Sequence, residues 1–132
     1  MSQGVVFIAL QQFCEHDDEP RRILEDAGFE VRVNALGRRL RPEDLGRALR
    51  DADAVIAGVE PYEAGALEAL PRLRCISRCG VGTDSIDLEA ARRLGIAVYT
   101  TPDEVVEPVA QLTVGMMLAL ARNLPRHVQE MR

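Results

Sequence analysis

Short apolar runs alternate with helical patterns along most of this chain. Residues 5–10 (VVFIAL), 29–33 (FEVRV), 54–57 (AVIA), 75–77 (CIS) and 97–99 (AVY) are brief runs rich in apolar and β-branched side chains, the pattern of buried strands. Between them, residues 19–27, 42–49, 63–70 and 88–94 predict four helices. Their ends are marked by residues that cannot continue a helix at low cost: Gly28 after the first, Pro71 after the third and Gly95 after the fourth. A last helix is predicted over residues 108–124, opening on Pro108 and closing on Leu124, with apolar groups almost all round it.

Strands that alternate with helices in this way form a parallel sheet covered on both faces. Five of them predict an α/β fold, a flavodoxin-like doubly wound sheet of order 2-1-3-4-5 with right-handed crossovers and a long C-terminal helix. Residues 1–106 read as that domain and 107–132 as the long helix. Ligands of such sheets bind beyond the carboxyl ends of the strands. The loops selected are therefore residues 11–13, 58–62, 80–85 and 101–106.

Of these, the stretch Cys79-Gly80-Val81-Gly82-Thr83-Asp84-Ser85-Ile86-Asp87-Leu88 is the most informative. Two glycines separated by one residue join a strand to a helix, and bare N–H groups in such a turn suit an anion. Asp84 or Ser85 can cap the following helix. Asp84 and Asp87 could also be paired carboxylates for acid-base work or a metal. Helix-start positions account for both more simply, through N–H bonds and the helix dipole.

Onward from Gly80 the chain resembles the D-isomer-specific 2-hydroxyacid dehydrogenases, the phosphoglycerate dehydrogenase-like family. The residues that carry the likeness are Gly80-Val81-Gly82-Thr83-Asp84, Asp87-Leu88, Ala90-Ala91, Gly95-Ile96, Val98 and Thr101-Pro102, then Val109-Ala110-Gln111 and the apolar helix ending in Arg122. Ser85, Thr100 and Gln111 depart from the family's usual Asn, Asn and Glu. The resemblance implies that main-chain N–H groups of Gly80, Val81 and Gly82 meet the substrate carboxylate and that Val81 lies beside an NAD cofactor. It implies a substrate site completed by Gly58 and Glu60, in the loop after the third strand. Phosphoglycerate-type members carry a basic residue there, so Glu60 reverses the charge and would oppose a phosphate unless Arg78 or Arg74 compensates. Taken alone, Glu60-Pro61-Tyr62 reads as a turn with Tyr62 covering the sheet edge. The family's last helix of this domain also implies a homodimer, here through residues 108–124. Gly115 and Ala119, four apart, could let a second backbone approach.

Composition narrows the function classes. The net charge is −5 and all sixteen positive charges are Arg, so no Lys-rich or basic surface is available for nucleic acid or anionic lipid. Cys14, Cys75 and Cys79 form no C-x-x-C pair and read as reduced packing residues. His16 and His127 sit in no motif, and the latter is expected just beyond the last helix. No signal peptide is recognisable, and no apolar run is expected to reach membrane-spanning length, which together point to the cytoplasm.

Hydride transfer from a 2-hydroxy acid needs a nicotinamide held on a Gly-rich turn, a base and a carboxylate-orienting cation. No G-x-G-x-x-G occurs in these 132 residues. In the family resembled, the dinucleotide-binding domain and its catalytic Arg, Glu and His follow the long helix. The chain is therefore expected to have no catalytic residue of its own, to bind NAD weakly, and to represent the substrate-binding part of a dehydrogenase, inactive alone. The alternative is a noncatalytic binding or scaffold protein derived from that domain. A phosphoacceptor receiver would need acidic residues where Gln11-Gln12 stand, and flavodoxin proper a hydroxyl- and Gly-rich loop where Gln11 to Cys14 stand. Neither fits.

Overall fold

The computed structural model describes residues 2–131 and divides into two units, one ending at Thr100 and the other beginning at Thr101. In the first unit β1 (Gly4–Ile8), β2 (Phe29–Val33), β3 (Ala54–Ala57), β4 (Cys75–Arg78) and β5 (Ala97–Thr100) make one all-parallel sheet of order β2-β1-β3-β4-β5, as the alternation predicts. The register sets Phe7 beside Val55, Val55 beside Ile76 and Ile76 beside Val98, so one apolar row crosses the sheet on a single face. Successive side chains of a strand point to opposite faces, and this row lies on one of them.

Onto that face fold α2 (Pro42–Ala48), α3 (Ala64–Glu68) and α4 (Leu88–Arg93). Leu45, Leu67, Ala90 and Ala91 join Val55 and Ile76 in one buried cluster, each no more than 1% exposed. Burial of each Leu, Val or Ile among them stabilises by about 1.5–3 kcal/mol, and this cluster is where the sheet is held. The small residues at Ala90 and Ala91 let α4 lie close to the strands. α1 (Glu19–Asp26) packs beside β2 and buries none of its own residues. Right-handed crossovers running both ways from β1 place α1 on the other face.

Asp53 ties the strand starts together. Its carboxylate accepts the Val5 N–H at 2.8 Å and the Arg72 guanidinium at 2.9 and 3.0 Å. Those bonds, the Val5 N–H first, lower its pKa below the usual value.

The second unit contains α5 (Asp103–Ala121) and α6 (Leu124–Glu130), and it revises the expected helix over 108–124 at both ends. The helix begins at Asp103 because Asp103 and Glu104 complement its positive end, so that Pro108 falls inside it and removes only one ladder bond. It ends at Ala121 because Asn123 turns left-handed at φ 52°, a conformation Asn tolerates better than most residues. Pro125 then opens α6, so His127 follows the long helix, as expected, and lies within a second, short one. None of the α5 residues is buried. The expectation that no stretch reaches membrane-spanning length is also corrected: α5, with 19 residues and mean hydropathy 1.3, is long and apolar enough by length and composition.

Candidate functional site

The loops after β1, β3 and β4 meet at the carboxyl end of the sheet, beside the point where its winding reverses. Backbone bonds fix them to one another: Ala9 N–H donates to Ile56 O at 3.0 Å and Cys79 N–H to Ala57 O at 2.9 Å. The β3 loop is also sewn to the segment before α4, with Tyr62 N–H donating to Ser85 O at 2.7 Å and Asp87 N–H to Tyr62 O at 2.9 Å. A cavity of about 390 Å³ opens there, lined by residues that include Gln11, Gly58, Glu60, Arg78 and Cys79.

Gly80 is buried and has φ +139°, a backbone conformation closed to nearly every residue with a side chain. A Cβ there would also lie 2.9 Å from Arg78 Cζ. The Arg78 guanidinium packs over the turn and donates from Nη1 to Cys79 O, while its buried Nε has no partner among the described residues. Gly82 has an ordinary φ, and a Cβ on it would meet only the carboxylate of exposed Asp84, at 3.1 Å. The two glycines therefore differ: Gly80 shapes the turn and Gly82 leaves its outer surface open. Val81, between them, is 49% exposed. The N–H groups of Val81 and Gly82 make no hydrogen bond among the described residues. An exposed pair of uncommitted N–H groups beside a guanidinium can donate to an anionic oxygen pair.

The remaining expected residues are placed differently from one another. Glu60 is 3% exposed and turns back to accept the Gly58 N–H at 2.7 Å, so Gly58 has no free N–H for a ligand. Tyr62 does not cover an edge; it is fully buried in the core, with its hydroxyl unpartnered among the described residues. Burial, then the Glu60 charge, pushes its pKa up. Of the two arginines expected to offset Glu60, only Arg78 is near it. Arg74 precedes β4 and lies at the opposite end of the sheet, beside Asp53 and Cys75. Asp87 caps α4, accepting the Ala90 N–H at 2.8 Å. Asp84 does not cap it; Asp84 and Ser85 occupy the turn closed by Ile86 N–H to Thr83 O. Cys79 is exposed at the cavity rather than packed, and burial raises the pKa of Cys75. Among the described residues no cluster of His, Cys, Asp and Glu could hold a metal ion.

One cation at this site escaped the sequence reading. Arg39 lines the cavity above and two adjoining ones, one shared with Val59, Arg78 and Gly82 and another with Pro42 and Pro61. Its neighbour Arg38 is committed elsewhere, donating from Nη1 and Nη2 to buried Asp44 at 2.7 and 3.1 Å. Asp44 also accepts the Arg41 N–H at 2.9 Å, and these bonds, Arg38 first, hold its pKa down to about 2. The signal was present in the run Arg41-Pro42-Glu43-Asp44, where an acidic residue at the third helical position reaches back to the cap.

The family model for the D-isomer specific 2-hydroxyacid dehydrogenase catalytic domain matches residues 8–125. The D-3-phosphoglycerate dehydrogenase of Methanocaldococcus jannaschii is 43% identical over 112 residues, 84% of this chain and 20% of that protein. The glyoxylate reductase of Thermococcus kodakarensis is 38% identical over 97 residues, 73% of this chain and 29% of that protein. Among solved structures, the cofactor(NAD+)-bound 3-phosphoglycerate dehydrogenase of Entamoeba histolytica superposes with a TM-score of 0.75 at 29% identity, covering 90% of this chain and 39% of that one. The chain thus spans a fifth to two fifths of the length of these proteins. Sheet order, the Gly80–Gly82 turn and a match running from β1 to the start of α6 agree: the chain belongs to the D-isomer-specific 2-hydroxyacid dehydrogenases, in their catalytic domain.

Proposed function

We propose that this chain is the substrate-binding domain of an NAD-dependent oxidoreductase that interconverts a D-2-hydroxy acid and its 2-oxo acid in the cytoplasm. The observation that carries the reading is the pair of uncommitted N–H groups at Val81 and Gly82, beside Arg78 at the carboxyl end of the sheet. A substrate carboxylate accepts those N–H groups, and the Gly80 conformation holds them in place. Relatives of the same family include a phosphoglycerate dehydrogenase and a glyoxylate reductase, which leaves the size of the acid open.

The chain's own residues do not fit a dinucleotide. Its βα turns carry no G-x-G-x-x-G, and the turn after β1 has no glycine to bring backbone against a pyrophosphate. Exposed Val81 offers the nicotinamide only an apolar contact, so the cofactor phosphates need a site outside these residues. On this reading residues 1–106 bind substrate, and the helical segment from 107 serves the junction between domains and between subunits. That the family match runs through α5 favours a protein partner over a bilayer for its apolar surface. The purified 132-residue chain should then show no NAD-linked reduction of 2-oxo acids. Activity should appear when the polypeptide continues into a dehydrogenase's dinucleotide-binding domain. Turnover by the 132-residue chain, free of host dehydrogenases, would overturn the proposal.

A further inference from the structure

We infer that Arg39 determines substrate specificity in this cleft, binding a second anionic group of a 2-hydroxy acid whose first carboxylate sits on the Val81 and Gly82 N–H groups. The inference rests on the functional reading above. Three arginines crowd the loop before α2, and the structure separates their tasks. Arg38 is held by buried Asp44, and Arg41 approaches Glu43 at 3.9 Å. The guanidinium of Arg39 has neither a hydrogen bond nor an ion pair among the described residues. It is nonetheless well positioned, because Leu40 on one side is 1% exposed in the core and the Arg38–Asp44 pair anchors the other.

Charge within the cleft directs the second group toward Arg39. Glu60 carries its carboxylate on the floor at the end of β3, against the Gly58 N–H, and repels an anion from that side. Asp84, exposed beside Gly82, repels one from the α4 side. Arg78 is engaged with the glycine turn itself. Arg39 is the cation left for a distal carboxylate or phosphate, and its planar fork suits either. A 2-hydroxy acid with only one negative charge has no use for it.

Amide NMR titration of the 132-residue chain with D-3-phosphoglycerate, D-2-hydroxyglutarate and D-lactate tests this. Val81 and Gly82 amides should shift with all three acids. The two acids with a second anionic group should bind about tenfold more tightly than D-lactate at low salt, with the advantage shrinking as salt rises. Arg39→Gln should remove that advantage and leave D-lactate binding unchanged, and Arg39→Lys should restore part of it. The tighter of these two acids identifies the second group as phosphate or carboxylate. If Val81 and Gly82 still shift but Arg39→Gln alters nothing, or weakens all three acids alike, Arg39 is not the determinant while the carboxylate site stands. If no acid moves those amides, the carboxylate site fails and the role of Arg39 fails with it.

Discussion

Replacing Gly80 and Gly82 by alanine, one at a time, separates the part of the turn that makes the fold from the part that makes the site. At Gly80 the φ of +139° is one that an alanine rarely adopts, and holding it there costs about 1–3 kcal/mol. The new methyl group also lies 2.9 Å from Arg78 Cζ, so the guanidinium must leave the Cys79 carbonyl or the strand end must shift. Together these give a loss of about 3 kcal/mol, within the range reserved for strained backbone and broken buried contacts. For a chain of this size that lowers the melting temperature by roughly 10 °C. At Gly82 the φ is ordinary and the only close neighbour is the end of an exposed aspartate, which can swing aside. Gly82→Ala should therefore cost under about 1 kcal/mol. Thermal unfolding of the 132-residue chain, followed by circular dichroism, measures both. A Gly80→Ala protein that melts within a degree or two of the parent would refute the argument, as would equal losses for the two variants.

The Tyr62 hydroxyl, unpartnered among the described residues, gives a prediction of opposite sign: Tyr62→Phe should stabilise by about 1 kcal/mol, since a buried hydroxyl without a partner opposes folding, and a lowered melting temperature would count against it. Asp44 and Asp53 both have folded pKa values below the unfolded value near 3.8, so the stability each contributes is complete above it and is lost as pH falls through the folded value, about 2 for Asp44. Asp44→Asn should be less stable at neutral pH and lose less on acidification between about pH 4 and 2; parallel stability profiles for the two proteins would exclude a role for the Arg38–Asp44 pair. For α5, association through Met116 and Leu120 should make the chain a dimer at tens of micromolar, because covering such side chains gains about 25 cal/mol per Å². Light scattering that reports a monomer, unchanged in Met116→Glu and Leu120→Glu, would dismiss that interface.

The number, order and direction of the strands were legible in the residue pattern, because a strand buried in a parallel sheet must be a short apolar run and its return path must be a helix or long loop. It also located the Gly80–Gly82 turn, since a two-glycine turn between strand and helix is a local property of the backbone. Local rules went wrong where two of them competed. Pro108 read as a helix start, yet the acidic pair Asp103 and Glu104 had already begun the helix, and Asn123 ended it through a φ that no periodicity reveals. What each charged or hydroxyl side chain faces emerged only from the folded arrangement of the loops. Glu60 turned inward to Gly58, Arg74 lay at the wrong end of its strand to balance it, and adjacent Arg38 and Arg39 were divided between a buried carboxylate and an open cleft. Strand pairing is set by patterns along the chain, whereas the partner of a charge is chosen by whichever loops the sheet brings within a few ångströms, and that distance is not written in the spacing of residues.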